Sequence, residues 1–236
     1  LRFDFALILN NDTIVTNGFL QSMVSTSRSE ANVGIVGGKI FYHDEPDILW
    51  TVGGRVSLLR GGSYYFGNGE RDSIRYDNCE ITHVSGCMAL ISRQVLMSVG
   101  IFDERFFWRG EEWDYCYRIK TAGFKAKLSP EAIIYHKISR TVNRFSVFDL
   151  YCGYRAKLLF ISKHFWRPMA GLWKVAFKVY LKGKYKKIET HAKKSDLKIL
   201  DRDRFSLLVD KIFEDDTKFN GVTLENIREV QDLYGS

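Results

Sequence analysis

The first residues that could do chemistry are Asn10, Asn11 and Asp12, which directly follow an apolar run at residues 5–9. A hard divalent cation takes oxygen ligands, and on a diphosphate it usually needs only one or two protein carboxylates because the phosphates supply other ligands. A carboxylate at the end of a strand is well placed for that task. The alternative is a plain Asx turn, and for this tripeptide alone the turn is the simpler interpretation.

A second group is the acid pair Glu111 and Glu112, which is followed by Trp113 and Asp114. Neighbouring residues of a helix project about 100° apart, so one carboxylate can face a cleft while other groups hold its neighbour. A carboxylate that faces a sugar hydroxyl is a suitable general base. The alternative is that both acids only stabilise a helix N-terminus by interacting with the positive end of its dipole. Asp114 and Arg118 have the i, i+4 spacing of a structural ion pair.

A third candidate is His136, which directly follows the apolar residues 132–135. A histidine can bind a metal through a ring nitrogen, but a lone histidine more often serves as a structural hydrogen-bonding group. The sequence leaves both interpretations open for His136. The other histidines, at positions 43, 83, 164 and 191, carry still less signal.

Strands and helices alternate in the segments that must position these residues. Residues 5–9 predict a buried parallel strand, because the apolar run is continuous and turn formers follow it. Residues 43–82 are rich in Gly, Asp and aromatic residues and predict a long, partly ordered loop over a site. The other predicted elements are helices at 17–31, 93–99 and 110–122 and strands at 33–41, 84–92 and 132–135. This order indicates an α/β core with ligands at the carboxyl ends of the strands.

Beyond about residue 140 the chain becomes aromatic and basic. Residues 145–187 predict helix divided by Pro168, with apolar positions between 172 and 181 on one helical face. Further helices are predicted at 203–214 and after Thr223, a suitable N-cap. The apolar face could lie on an anionic membrane, or it could pack against the core or another subunit. Both interpretations stay open, because amphipathicity serves either.

Composition limits the class of protein. The chain has 236 residues, enough to bury a core, and its 45% hydrophobic content argues against wholesale disorder. Its four cysteines are Cys79, Cys87, Cys116 and Cys152. They lie far apart without a CxxC pair, which argues against a zinc site, and a chain of this length does not need a disulfide framework. We see no signal peptide and no apolar run of about 20 residues that could span a bilayer. Leu1 in place of an initiator Met predicts that the natural protein extends upstream.

Several segments also occur in a fixed order. They are residues 10–13, 48–54, 84–91, 99–107, 110–118, 122–124 and 129–132, followed by His136. In this order they resemble the family 2 glycosyltransferases of the rhamnosyltransferase-like kind, over residues 5 to about 140. The resemblance implies a GT-A type α/β fold: a mixed, mainly parallel sheet flanked by helices. It places the catalytic core at residues 1–140 and a C-terminal helical region at residues 141–236.

The resemblance also implies an activity and its participants. These enzymes invert the sugar as they move it from a nucleotide-sugar donor to a saccharide or lipid-linked saccharide acceptor, as in polysaccharide biosynthesis. Asn10, Asn11 and Asp12 would contact the donor, with Asp12 in the DxD position that binds Mg²⁺ or Mn²⁺ on the diphosphate. His136 is similar to a histidine that joins the metal shell. We expect a cytoplasmic location. The aromatic and basic segment leaves peripheral contact with the inner membrane face open, and self-association is open as well.

The remaining implied roles concern the acceptor. Glu112 occupies the position of the catalytic base, which would deprotonate the acceptor hydroxyl. Residues on the acceptor side would be Glu111, Trp113 and Asp114, with Ser85 and Gly86 at the floor of the cleft. This assignment requires Asp12 and Glu112 to converge on a shared pocket.

One departure from the family pattern concerns the donor. The family places a βαβ unit, which holds the nucleotide base and ribose, before the strand at residues 5–9. Here only four residues precede that strand. We therefore expect a chain that lacks the front of the nucleotide-binding half, binds nucleotide sugars poorly and has weak or no activity of its own.

Two other classes of function were compared with the transferase. A nucleic-acid-binding module would use the net charge of +7 and the interleaved aromatic residues. We find no recognised motif of that kind and expect no nucleic-acid partner. A non-catalytic carbohydrate-binding or scaffold protein is the alternative that the sequence leaves open.

Overall fold

A computed structural model describes residues 2–137, 146–194, 200–216 and 221–234. The strands are β1 (Phe5–Leu9), β2 (Thr13–Val15), β3 (Val33–Tyr42), β4 (Ile48–Thr51), β5 (Gly54–Ser57), β6 (Gly62–Tyr65), β7 (Glu70–Arg71), β8 (Met88–Ser92) and β9 (Lys125–His136). The helices are α1 (Phe19–Arg28), α2 (Arg93–Ser98), α3 (Glu111–Thr121), α4 (Val147–His164), α5 (Arg167–Gly183), α6 (Tyr185–Lys194), α7 (Arg202–Asp216) and α8 (Leu224–Tyr234). A 3-10 turn covers Ile74–Tyr76.

The central sheet has seven strands. Five of them follow the order β1-β8-β3-β4-β7, while β9 pairs with β3 and β2 pairs with β9. Strand β3 is almost wholly buried, because it has partners on both edges and is covered on both faces. The predicted mixed sheet with flanking helices is confirmed. The expectation that it is mainly parallel is wrong: among the described strands only β3 and β9 run parallel.

Strand β1 also differs from its prediction. It was expected to be buried and parallel, but it is half-buried and runs antiparallel to β8, with Phe5 opposite Ser92. A continuous apolar run indicates burial against a core but carries no information on the direction of the neighbouring strand. Direction follows from the connections, and β1 continues through a turn into β2 rather than into a crossover helix.

The segment predicted as a long, partly ordered loop, residues 43–82, contains four short strands separated by turns. It holds β4 to β7, and β5 and β6 form a hairpin in which Gly54 lies opposite Tyr65. The loop prediction missed these strands, because glycine and aromatic residues that indicate a loop also occur in short paired strands. The turns between these strands reverse the chain direction, and no crossover helix follows β3. Strand β8 therefore runs antiparallel to β3.

Strand β9 is longer than the four residues predicted for it. It pairs with β3 from Val33 onward, but the register jumps: Gly38 lies opposite Ser129 and the next residue of β3 lies opposite Ile133. The residues between them bulge toward Gly38, where an added Cβ would come within 2.2 Å of the carbonyl oxygen of Ala132. Only glycine fits this approach, and the bulge sets the register of the last residues of β9.

The helical prediction for the later part of the chain is confirmed in outline. Pro168 lies in the first turn of α5, where a missing N–H costs nothing, and so separates α5 from α4. At the start of α8, the hydroxyl of Thr223 accepts a hydrogen bond from the N–H of Asn226 at 3.2 Å, as expected of an N-cap. In the described part of the chain, no helix has the length and apolar character needed to cross a bilayer.

The chain divides into two compact units. The first contains Leu1–Phe102 and Glu112–Ser139, and the second contains Asp103–Glu111 and Arg140–Ser236. Buried residues of β3, β8 and α3 form the core of the first unit, and those of α4, α7 and α8 form the core of the second. The predicted domain boundary at residue 140 lies outside the described residues and stays a prediction.

Candidate active site

Asp12 lies in the tight turn between β1 and β2. The backbone N–H of Asn10 donates to the carbonyl of Cys87 at 3.0 Å, which joins the turn to the start of β8. The hydroxyl of Thr13 closes the turn by donating to the carbonyl of Asn10 at 2.7 Å. Asn10 and Asn11 are exposed, whereas Asp12 is half-buried. A tight turn is therefore present, and the side chains of Asn10 and Asn11 remain accessible to a ligand.

His136 is the last residue of β9 and lies between two neighbouring strands. It is opposite Thr13 of β2 and opposite Tyr42 of β3. The N–H of Lys137 donates to the carbonyl of Asp12 at 3.0 Å, which holds the end of β9 beside the turn. Strand pairing thus positions a residue that the sequence places more than a hundred positions from Asp12.

Asp12 and His136 meet through their side chains. Asp12 Oδ1 lies 3.2 Å from His136 Nε2, and the side chain of His136 is only 9% exposed. Among the described residues, Asp12 Oδ1 and His136 Nδ1 are buried and lack a hydrogen-bond partner. The 3.2 Å approach therefore lacks the geometry of a hydrogen bond, and the two atoms are spaced as two ligands of one metal ion would be.

The donor set was tested against the divalent metal predicted from the sequence. Within the described residues, no group of three or more His, Cys, Asp and Glu side chains is placed to hold a metal ion. One carboxylate oxygen and one imidazole nitrogen match a metal that completes its shell with phosphate oxygens and water. Such a pair fits a bound metal–diphosphate better than a metal held by the protein alone.

Trp50 of β4 supports the histidine from the side. Its ring meets the imidazole of His136 edge to face, with 4.9 Å between the centroids. Such aromatic contacts favour one ring orientation. Trp50 lies in one of the ordered segments of the sequence, but its contact with His136 results from pairing of both strands with β3 and had no signal in the sequence.

Glu112 lies in the first turn of α3, as predicted. Its Oε1 accepts a hydrogen bond from the backbone N–H of Gly86 at 2.9 Å. A Cβ added to Gly86 would lie 3.1 Å from Glu112 Oε1 and 3.3 Å from its Cγ, so a glycine lets the two segments approach this closely. Ser85 is buried, and its hydroxyl accepts from the N–H of Cys87 at 3.2 Å, which shapes the turn on which Glu112 rests.

Cys87 belongs to the segment that contacts both the Asp12 turn and Glu112. Burial raises the pKa of its thiol well above the usual range, and the negative charges of Asp12 and then Glu112 raise it further. Two hydrogen bonds meet at this segment: the carbonyl of Cys87 accepts from the N–H of Asn10, two residues before Asp12, and the N–H of Gly86 donates to Glu112. The structure therefore brings the strand-end acid and the helix-start acid together at the segment 85–87.

The turn that leads into α3 is conformationally unusual. Arg109 has φ 66°, the one non-glycine residue with positive φ among those described. Its guanidinium pairs with Asp149 of α4, with 2.6 Å between Nη2 and Oδ1. Left-handed backbone costs free energy in a residue with a side chain, so this ion pair helps to hold a strained turn directly before the acid pair.

The neighbours of Glu112 have different surroundings. Glu111 belongs to the second compact unit; its Oε2 is buried without a hydrogen-bond partner among the described residues, and this burial raises its pKa. Asp114 is fully buried, and its carboxylate accepts from Arg118 Nε at 2.7 Å. The same guanidinium donates to two carbonyls beyond α2. Asp114 is thus the structural pair that its spacing predicts, and the acceptor-side role given to it is not supported.

Trp113 is 8% exposed and packs into the first unit. Its predicted contact with an acceptor stays a prediction. A surface groove runs along α1 and contains no candidate site residue; its lining is Leu20, Gln21, Val24, Ser25, Arg28 and Ser29. The candidate site is therefore defined by the convergence of side chains rather than by this groove.

The four cysteines all lie in described segments and form no disulfide. Burial raises the pKa of Cys116 and of Cys152 to about 12, so neither is a nucleophile at neutral pH.

Two solved structures were compared with the chain. PcManGT, a mannosyltransferase from Pyrobaculum calidifontis in complex with GDP-Man and Mn²⁺, is 10% identical, with 92% of this chain and 62% of that chain covered and a TM-score of 0.43. GalNAc-T7, with UDP, GalNAc and Mn²⁺, is 13% identical, with 92% and 41% covered and a TM-score of 0.45. The chain spans less than two thirds of the length of either protein.

No curated protein matches the chain. The family described as glycosyltransferase like family 2 matches it over residues 1–150, which include every candidate site residue. This match covers well over half of the sequence and confirms the family that the ordered segments resemble. The chain belongs to glycosyltransferase-like family 2.

Proposed function

We propose that this protein is an inverting, metal-assisted glycosyltransferase that moves a hexose from a nucleotide sugar to a saccharide or lipid-linked saccharide. The observation that carries the proposal is that one short segment contacts both acids' surroundings: the carbonyl of Cys87 accepts from the N–H of Asn10 in the Asp12 turn, and the N–H of Gly86 donates to Glu112. A displacement at an anomeric carbon needs a metal that stabilises the leaving diphosphate and a base for the attacking hydroxyl in one place. Asp12 would bind the metal, and Glu112 would be the base.

Asp12 and His136 would hold the metal. Charge at this point stabilises the diphosphate as it leaves, which is the chemistry that Mn²⁺ or Mg²⁺ supplies when bound. An imidazole nitrogen suits a transition metal better than Mg²⁺, which prefers oxygen, so Mn²⁺ is the better match to this pair. The exposed side chains of Asn10 and Asn11 would contact the donor beside it.

Glu112 would act on the acceptor. Its carboxylate takes the proton of the acceptor hydroxyl while that oxygen forms a bond to the anomeric carbon. The bond from the same carbon to the phosphate oxygen breaks, and the electron pair leaves with the nucleoside diphosphate. A single displacement of this kind inverts the configuration. The hydrogen bond from Gly86 N–H orients the carboxylate for this step.

The remaining acceptor contacts are assigned to the surroundings of Glu112. Ser85 and Gly86 would form the floor beneath the acceptor, and Trp113 would line it. Asp114 is left out, because its carboxylate is buried against Arg118.

Activity of the Glu112→Gln variant tests the proposal. The amide oxygen of glutamine still accepts from Gly86 N–H, so we expect a folded protein whose kcat falls by about 10²-fold or more because the base is lost. Glu131→Gln is the matched control, since Glu131 is exposed on β9 away from these contacts. Product would be measured by mass spectrometry with a panel of nucleotide sugars, which also tests the rhamnosyltransferase subtype. Equal activity of both variants would defeat the role of Glu112.

A binding measurement tests the metal site without any activity. We expect Mn²⁺ with a nucleoside diphosphate to bind, and Asp12→Asn or His136→Asn to weaken Mn²⁺ binding by about tenfold or more. Asp47→Asn changes an exposed aspartate and serves as the control. Titration followed by electron paramagnetic resonance reports the bound fraction, and affinity unchanged in all variants would exclude this pair as ligands.

The predicted weakness of donor binding is tested by calorimetry on the same samples. We expect dissociation constants for nucleoside diphosphates well above the micromolar range. Micromolar affinity would refute this prediction while leaving the catalytic assignment intact. Affinity for saccharides with no transfer by any nucleotide sugar would favour the non-catalytic alternative.

A further inference from the structure

Helix α5 has two apolar faces. Ala170 and Leu181 are buried, and Trp173 and Phe177 pack with them against the core of the second unit. The opposite face is also apolar and faces solvent; its residues are Met169, Leu172, Val175, Val179 and Tyr180, with exposures between 46% and 70%. A helix on a protein surface normally presents polar residues to water, so this face requires an explanation.

The lysines of α5 do not cover that face. Lys174 pairs with Asp216 of α7, while Lys178 and Lys182 each pair with Asp210 at 2.8 Å. All three cations are directed to carboxylates of the neighbouring helix and are neutralised there. The prediction of one apolar face was wrong, because Leu181 is buried whereas Leu172 and Tyr180 are exposed. The lysines belong to the packed side.

Other cations lie at the ends of the apolar face. Arg167 begins the helix, and Lys184 lies directly after it with Nζ 5.5 Å from the centre of the Tyr180 ring. Lys186 and Lys187 are exposed in α6. Between residues 166 and 190 the sequence has one acid, Glu189. The rim of the face is therefore positively charged.

Aromatic residues mark both ends as well. Trp166 precedes the helix and is 73% exposed, and Tyr180 lies 14 residues further along the chain at 56%. Tryptophan and tyrosine are enriched where an apolar region meets water at a bilayer surface. An apolar stripe with aromatic ends and a cationic rim has the features of a helix that lies in the plane of a lipid interface.

We propose that the face of α5 formed by Met169, Leu172, Val175, Val179 and Tyr180 binds the surface of a membrane that contains anionic lipids. The apolar side chains enter the boundary of the acyl chains, and Arg167, Lys184, Lys186 and Lys187 contact the headgroup phosphates. Charge complementarity selects this partner over a second copy of the chain, because two copies joined through this face would bring their cationic rims together. Membrane binding needs no catalysis, so the inference does not depend on the proposed activity.

Vesicle flotation tests the proposal with the 236-residue chain. The vesicles are phosphatidylcholine alone and an equimolar mixture with phosphatidylglycerol. We expect flotation with the mixture and little with phosphatidylcholine alone, and we expect salt to weaken it. Leu172→Glu with Val179→Glu places two acids on the face and should reduce binding by about tenfold or more. Lys186→Gln with Lys187→Gln should reduce it less.

The matched control carries the same change elsewhere. Ile74 and Met97 are exposed by 82% and 75%, so Ile74→Glu with Met97→Glu adds the same charge without touching α5. Circular dichroism would show that each variant keeps its helices. Binding that ignores lipid charge, survives the Leu172 and Val179 changes, or is lost equally in the control would overturn the proposal. So would the absence of flotation together with a dimer in sedimentation that only the α5 variant dissociates.

Discussion

At the scale of single residues, Gly86 holds the position of Glu112. Its N–H donates to the carboxylate, and the absence of a side chain leaves room for the carboxylate to come this close. A backbone donor cannot rotate away, so it orients the carboxylate more firmly than a flexible side chain would. The presence of a glycine at this point therefore matters for function as well as for the fold.

Gly86→Ala is expected to lower kcat with little effect on Mn²⁺ binding. The new Cβ would lie 3.1 Å from Glu112 Oε1, so the carboxylate must move by a few tenths of an ångström. We expect kcat to fall by about tenfold to a hundredfold, because the base moves from its productive position. Gly171→Ala is the control, since a Cβ there meets nothing within 4 Å. An unchanged kcat would show that this contact does not position the base.

His83 makes a separate prediction, for stability. Its ring is fully buried, neither ring nitrogen has a hydrogen-bond partner among the described residues, and burial lowers its pKa from 6.5 to about 3. Below pH 6.5 the unfolded chain binds a proton that the folded protein does not, so stability falls with decreasing pH until the pH reaches about 3. Between about pH 7 and pH 5 the titration of His83 should lower the free energy of unfolding by about 2 kcal/mol.

Urea unfolding at both pH values measures this effect. His83→Phe keeps a ring against Tyr65 but cannot titrate, so its stability should depend less on pH. The difference between the two proteins isolates the histidine from the other titrating groups. If both lost the same free energy on acidification, the buried ring would not be the cause.

The residues of the candidate site could be selected from the sequence, but the contacts between them could not. Asp12, Glu112 and His136 were selected from types and order along the chain, and the structure places Asp12 beside His136 and Glu112 beside Gly86. The contact of Trp50 with His136 depends on pairing across β3, which no local pattern encodes. The roles of these residues stay predictions.

At the scale of elements, the turn into α3 combines strain with an ion pair. The left-handed backbone of Arg109 is unfavourable in free energy, and the ion pair with Asp149 offsets part of that free energy. Arg109→Ala keeps the strain and loses the pair, whereas Arg109→Gly loses the pair but relieves the strain. We expect the alanine variant to be less stable than the glycine variant by about 1 kcal/mol. Chemical denaturation measures the difference, and equal stability would mean that the turn is not strained.

Helices were predicted more accurately than strand directions. The predicted helix at 93–99 corresponds to α2 and that at 203–214 to α7, because helix periodicity and caps are local. Strand direction depends on the connections, and residues 43–82 turned out to reverse the chain repeatedly. The full length of β9 was not predicted either. The strand contains a bulge opposite Gly38, and a glycine in a strand does not reveal which carbonyl approaches it.

At the scale of the whole molecule, each compact unit has its own core. Leu208 of α7 is fully buried in the core of the second unit, and Leu90 of β8 is 2% exposed in the first. Leu208→Ala should lower the free energy of unfolding by about 2–5 kcal/mol. We expect faster hydrogen exchange in α4, α7 and α8, with protection in β3 and β8 retained.

Leu90→Ala is the reciprocal variant and should show the opposite pattern. Exchange would be followed by mass spectrometry of peptides from both units under identical conditions. Uniform acceleration over the whole chain by either variant would indicate that the two cores unfold as one.

The inward pairing of the α5 lysines has an evolutionary consequence. The residues that fasten this helix to the protein and those on its solvent side are different sets, so a change at Leu172 or Val179 leaves the pairs with Asp210 and Asp216 untouched. Attraction to a lipid surface can therefore drift between lineages, or be tuned by engineering, without a penalty in folding. A homologue with a polar solvent side on this helix could keep the same architecture and work away from any bilayer.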